Sequence, residues 1–218
     1  MKKEFWLERW ERAETGFHEG VVNAYLKQYW QELQHAGAST VFVPLCGKSV
    51  DMQWLRQQGH AVIGVELSEI AAQAFFGENG YIPVISSHDK FSQYEANNIR
   101  ILCGDFFDLK RGDVAGVSAV YDRASMVALP PEMRQGYVQH LLHILPPKTQ
   151  ILLVTFDYPQ AEMPGPPFAL AAEEVEALFG KQTDIKLLAR FDMLAQNPRF
   201  QQRGLSRLQE SVYLLTLK

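Results

Sequence analysis

The chain has 218 residues, 47% apolar and 21% charged, which suits one buried core in an ordinary globular protein. Its net charge of −4 comes without any basic run, so neither nucleic acid nor an anionic membrane surface is an expected partner. Cys46 and Cys103 are the only cysteines, with no CxxC and no clustered histidine, so the reading is no metal, no disulfide scaffold and a reduced, cytoplasmic protein. The start, MKKEFWLERWERAE, has no continuous apolar stretch and does not read as a signal peptide.

Residues 4–35 read as helix. Phe5, Trp6, Leu7 and Trp10 give one apolar stripe, and Val21, Val22, Tyr25, Leu26, Tyr29, Trp30 and Leu33 give a second. Thr15-Gly16-Phe17-His18-Glu19-Gly20 separates them. Strands are then predicted at Thr40–Val43, Ala61–Glu66, Ile99–Cys103, Ala119–Tyr121 and Gln150–Phe156. Helices are predicted between them at Asp51–Gln58, Ser68–Glu78 and Pro131–Leu145, with Ser68 as an N-cap. That alternation means a parallel sheet with helices on both faces. The Pro-rich Tyr158–Phe168 follows a strand directly and reads as a lid or wall. Ile185–Phe191 and Glu210–Thr216 have only a polar loop between them, so they should pair antiparallel.

The turn after the first strand, PLCGKS, ends like a P-loop. The first glycine of GxxxxGK[ST] would fall at Phe42, inside the strand, and Pro44 withholds an N–H that a phosphate would need. A dinucleotide fingerprint needs three glycines, and only Gly47 is present. One glycine lets a ligand approach closely but is poorly suited to a pyrophosphate. Glu66 ends the second strand, 21 positions past Leu45, where a carboxylate accepts hydrogen bonds from a ribose diol. The other reading of Glu66 is a solvated strand-end carboxylate. Asp105, followed by Phe106 and Phe107, either meets an adenine edge or caps its own turn. A nucleoside without phosphates on this topology points to S-adenosylmethionine. Arg123, in AVYDRAS, either pairs with Asp122 or faces an anion in the cleft. Lys48 reads as a solvated lysine.

The segments WLERWERAETGFHEG, VFVPLCGKSVDMQWLRQQGHAVIGVELSE, ILCGDFFDL, YDRASMVAL and VYLLTLK together resemble the thiopurine S-methyltransferase family, in its short bacterial form. They span the chain from near residue 5 to its end. The resemblance implies an α/β, Rossmann-like class I methyltransferase fold. Its mostly parallel seven-stranded sheet carries an antiparallel C-terminal hairpin, helices on both faces and an N-terminal helical cover. It implies one domain, with residues 1–36 as cover and 37–218 as core. By the same resemblance Trp10, Leu45, Glu66 and Arg123 contact S-adenosylmethionine, with Gly47, Asp105 and Phe106 beside them. Trp6 and Phe17 close over the acceptor, and Arg123 and Arg199 lie near it as the catalytic cations. S-adenosylhomocysteine would be the product.

Methyl transfer from a sulfonium asks mainly for positioning and exclusion of water. A thiol of low pKa needs no strong base, consistent with the lack of a catalytic triad or carboxylate pair. The expected acceptor is an aromatic or heterocyclic thiol such as 6-mercaptopurine. A selenium or tellurium compound, in metalloid detoxification, is the alternative acceptor. A nicotinamide-dependent oxidoreductase and a non-catalytic nucleoside-binding module are the other readings. With scattered surface charge and no evident apolar stripe, a monomer is expected.

Overall fold

A computed structural model describes residues 3–34 and 39–218. The expected boundary between cover and core, at 36 and 37, lies outside the described residues. Strands β1 (Thr40–Val43), β2 (Ala61–Glu66), β5 (Ile99–Cys103), β6 (Val117–Arg123) and β7 (Gln150–Asp157) run parallel. Their β-branched and leucine runs are buried on both faces, as a sheet covered by helices requires. At one edge β9 (Gln209–Leu217) pairs antiparallel with both β7 and β8 (Thr183–Asp192). These are the seven expected strands.

Among the described residues the sheet has nine strands, in the order β3-β4-β5-β2-β1-β6-β7-β9-β8. The two added strands are an antiparallel hairpin, β3 (Val84–His88) and β4 (Phe91–Ala96), laid against β5. Asn97 and Asn98, both at positive φ (52° and 60°), turn β4 into β5. A two-residue turn with both φ positive favours asparagine, so this pair was the signal in the sequence. The hairpin's polar composition hid it: only Phe91 and Tyr94 of β4 reach the core. On β3, Val84 and Ile85 are exposed, as is Ile82 just before it, so the expectation of no exposed apolar stripe is corrected at this edge.

The N-terminal helix is also divided more than expected. It forms α1 (Lys3–Glu11) and α2 (Ala24–Tyr29), followed by a 3-10 turn at Trp30–Glu32. Between them runs an irregular loop, and α2 begins where the Asn23 side chain accepts the Tyr25 and Leu26 N–H groups. Helices α3 (Asp51–Gln57), α4 (Glu69–Glu78) and α5 (Pro131–Ile144) fall as predicted, with the Ser68 hydroxyl capping α4 through the Ala71 N–H at 3.3 Å. Helix α6 (Ala172–Phe179) was not anticipated. Only Val175 and Phe179, four apart, are buried on it. The connection from β8 to β9 is not purely polar loop: it holds α7 (Pro198–Gln202), started by Pro198.

One core lies on each face of the sheet. Tyr137, Leu141 and Phe179 fill the side of α5 and α6. Leu26, Met52 and Phe75 fill the side of α2, α3 and α4. The chain leaves β1 toward β2 in one direction and reaches β6 in the other. The crevice between their carboxyl ends is therefore the switch point where such sheets bind ligands.

Candidate functional site

The turn leaving β1 is built around Glu66. Leu45 (φ 45°) and Gly47 (φ 52°) both sit in the left-handed region, and for leucine that is an uncommon conformation of the kind found at ligand sites. This folding aims the Gly47 N–H at Glu66 Oε2, at 2.8 Å, while the Ser68 N–H donates to Oε1 at 2.7 Å. The Ser125 hydroxyl donates to the Pro44 carbonyl at 2.7 Å and ties the turn to the end of β6. Glu66 is buried, and burial pushes its carboxyl up while the backbone donors at Ser68, Gly47 and Leu67 pull it down. Among the described residues no cation pairs with it. Glu66 lines the cleft, and a carboxylate offers more acceptor sites than these backbone donors use, which suits hydroxyl donors. The solvated alternative is therefore set aside on geometry. A Cβ at Gly47 would stand 3.3 Å from the Trp10 ring, so glycine lets the cover seat directly on the turn.

After β5, Asp105 does cap its own turn: Oδ1 accepts the Phe107 N–H at 3.0 Å. Its other oxygen pairs with the Lys3 ammonium of α1. Phe106 is buried and stacks on Tyr137 with ring centres 4.7 Å apart. Over this end of the sheet, Phe17 stands edge-on to both Trp6 and Trp10, 5.5 Å from each.

Asp122 and Arg123 point to opposite faces, as neighbours on a strand must. Asp122 accepts the Tyr137 hydroxyl at 2.7 Å, and burial pushes its carboxyl up to about 6. The Asp122–Arg123 pair considered from the sequence does not form. Arg123 instead meets Glu19 of the cover loop, Nη2 to Oε2 at 2.5 Å. Burial works against its charge, and Tyr121, Glu19 and Asp51 hold its pKa above the ordinary value. Arg199 lies on α7 rather than in a loop, with Nη1 donating to the Gly16 carbonyl at 3.0 Å. Lys48 is not solvated but pairs with Glu78 at 2.5 Å. Burial and Lys48 lower the His18 pKa, and its backbone N–H donates to the Thr15 carbonyl at 2.8 Å.

The Pro-rich segment is a braced wall. The Tyr158 hydroxyl donates to the Pro167 carbonyl at 2.6 Å, the Gln160 amide to the Met163 carbonyl at 2.6 Å, and the Phe168 N–H to the Val127 carbonyl at 2.7 Å. The Ser206 N–H and hydroxyl both donate to Glu162.

These pieces enclose a cleft of about 2480 Å³. Trp6, Trp10, Phe17, Leu45, Gly47, Glu66, Asp105, Phe106, Arg123 and Arg199 all line it. So do residues to which sequence reasoning gave no part in the site: Lys3, Glu19, Tyr25, Phe156 and Glu210. Register places Glu210 between Phe156 and Phe191, and burial pushes its carboxyl up against the pull of Tyr25 and Arg123. Among the described residues no group of three or more histidine, cysteine, aspartate or glutamate side chains is placed to hold a metal ion. None of the helices there is long and apolar enough to cross a membrane.

The thiopurine S-methyltransferase family matches the chain over residues 1–218. A thiopurine S-methyltransferase of Nitrosospira multiformis is 65% identical over 215 residues, 99% of this chain and 98% of its own. Another, from Marinobacter nauticus, is 46% identical over the full length of both chains. Among solved structures, a Burkholderia thailandensis 1,6-didemethyltoxoflavin-N1-methyltransferase with bound S-adenosylhomocysteine superposes with a TM-score of 0.67. It is 12% identical, with 99% of this chain and 87% of that one covered. A SAM-dependent methyltransferase from Anabaena variabilis gives 0.67 at 14% identity, over 99% and 95%. At such identities these structures speak for the fold, a Rossmann-like class I methyltransferase. The chain belongs to the thiopurine S-methyltransferase family and is a methyltransferase that uses S-adenosylmethionine.

Proposed function

We propose that this enzyme methylates the sulfur of aromatic and heterocyclic thiols, thiopurines such as 6-mercaptopurine among them. It would act in the cytoplasm as a monomeric single domain, residues 1–36 covering a core of 37–218. The observation that carries the acceptor assignment is Arg123, a largely buried guanidinium at the switch point, facing a cleft walled by aromatic and proline side chains.

S-adenosylmethionine, when bound, supplies an electrophilic methyl carbon on a sulfonium. Glu66 would receive the ribose hydroxyls on the lone pairs that Gly47 and Ser68 leave open. Leu45, Gly47 and Trp10 would enclose the nucleoside, and Phe106 and the Asp105 turn would border its base. Arg123 and Arg199 would steer a thiolate and hold its charge, since a nearby cation favours the ionised form. Trp6 and Phe17 would cover a flat ring and keep water out. A guanidinium stays protonated at neutral pH, so neither arginine acts as a base, and a thiol already ionised needs none.

The test is transfer of a labelled methyl group from S-adenosylmethionine to 6-mercaptopurine and to thiophenols of graded pKa, with selenite and tellurite alongside. Label in the thiols, fastest where the thiol is ionised at the assay pH, is the expected result. Binding of S-adenosylhomocysteine without transfer to any thiol, but with transfer to the metalloids, would replace the acceptor and leave the cofactor site standing.

A further inference from the structure

We propose that Glu19 is a resident anion on Arg123, which the acceptor displaces on binding and which returns when the methylated product leaves. This rests on the acceptor role proposed for Arg123. The side chain of Arg123 is only 19% exposed, and Glu19 is the carboxylate in direct contact with it. Its other acidic neighbours are less free to move. Asp51 is buried and accepts the Asn23 N–H at 2.8 Å. Glu210 is fixed on β9 between two phenylalanines. Glu19, by contrast, has a side chain 51% exposed, so its carboxylate can swing into water without itself being desolvated.

The loop that carries Glu19 is held by other contacts. Arg199 grips the Gly16 carbonyl, the His18 N–H donates to Thr15, and Phe17 is wedged between Trp6 and Trp10. The carboxylate can therefore leave Arg123 while the cover backbone stays in place. Removing it without replacement leaves a buried guanidinium unpaired, which is costly. An incoming group must bring its own negative charge to make the exchange even. The cleft thus selects acceptors that arrive as anions and discriminates against neutral thiols of the same shape.

Methylation then changes the balance. The thiolate sulfur gains the methyl carbon, the electron pair of the broken bond stays on the donor sulfur, and the acceptor passes from −1 to neutral. A neutral thioether no longer compensates Arg123, and Glu19 reclaims it. The carboxylate weakens substrate binding, and it weakens retention of the product more.

The experiment compares wild type with Glu19→Gln and Glu19→Asp. Benzoate, a ring-borne anion with no thiol, is titrated calorimetrically in the presence of S-adenosylhomocysteine. KM and product inhibition are measured with 4-nitrothiophenol and its S-methyl product. Glu19→Gln is expected to bind benzoate about fivefold tighter and to lower KM by a similar factor, the scale of a half-exposed ion pair. It should also be inhibited more strongly by the thioether, while Glu19→Asp stays within twofold of wild type. Unchanged or weaker benzoate binding by a Glu19→Gln protein of normal melting temperature would overturn the role. So would a gain in S-adenosylhomocysteine affinity of the same size, which would make Glu19 a competitor of the cofactor carboxylate instead. Because the benzoate titration needs no turnover, failure of thiol methylation and failure of the Glu19 role are told apart.

Discussion

Glu66→Gln separates cofactor binding from folding. In the wild type one carboxylate oxygen accepts the Gly47 N–H at 2.8 Å and the other the Ser68 N–H at 2.7 Å. Whichever way a glutamine amide is turned, its NH₂ faces one of these donors, and one hydrogen bond is lost. Against that, a buried charge disappears, and burial is the largest influence on this carboxyl. The two effects oppose, so the melting temperature should move by no more than about 4 °C, the equivalent of roughly 1 kcal/mol in a chain of this size. Ribose recognition has no such compensation. Hydrogen bonds to a charged acceptor contribute about 1.5–3 kcal/mol each, and the amide oxygen replaces at most one of them, without charge. A loss of about 2–3 kcal/mol raises the Kd for S-adenosylhomocysteine by about 30- to 150-fold. Calorimetric titration alongside a thermal melt reads both quantities. A folded variant that binds S-adenosylhomocysteine within about threefold of wild type would refute the ribose assignment.

Gly47→Ala forces a Cβ into the left-handed region, at a cost of roughly 1–2 kcal/mol, and puts it 3.3 Å from Trp10. Lower thermal stability and a red-shifted tryptophan emission are expected, and unchanged emission would mean that the cover does not rest on this turn. Burial pushes the Asp122 carboxyl up to about 6 in the folded chain, against an ordinary 3.8. The folded state therefore holds this proton more tightly than the unfolded state. Stability from this group is fully present below about pH 4 and declines until about pH 6, by about 3 kcal/mol in total. Asp122→Asn should remove that decline, so its stability relative to wild type rises from pH 4 to pH 7. Denaturant titrations at both pH values check it, and an equal difference at both would show that Asp122 is not perturbed as described.

Much of the scaffold could be read from periodicity, because the parallel strands are buried on both faces and show as unbroken apolar runs. Thr40–Val43, Ala61–Glu66 and Ile99–Cys103 fall where those runs begin and end. The β3–β4 hairpin escaped for the opposite reason. An edge with one solvated face carries little apolar signal, and its mark was the Asn97-Asn98 turn. Helix α6 buries too few side chains to announce itself. In the site, Glu66 was readable from its distance past the first turn, since a strand of known length fixes where a carboxylate emerges. Arg123 was ambiguous until alternation along β6 sent Asp122 to Tyr137 on the other face. Glu19 was not readable as a partner of Arg123, because contacts between a cover loop and a strand end more than a hundred residues later leave no local pattern. The turn around Leu45, with its left-handed φ, is likewise held from outside: the Cys46 N–H meets the Val65 carbonyl and the Gly47 N–H the Glu66 carboxylate, partners that the turn itself does not contain.

Arg123→Ala, read in two ways, bears most directly on the assignment of this cleft to thiol methylation. S-adenosylhomocysteine is titrated calorimetrically into wild type and variant, and labelled methyl transfer to 6-mercaptopurine is measured on the same preparations. Binding within about threefold of wild type, with transfer lower by about a hundredfold or more, is the result expected if Arg123 holds the acceptor thiolate. Loss of S-adenosylhomocysteine binding would contradict it and move Arg123 to the cofactor, and undiminished transfer would remove Arg123 from the reaction altogether.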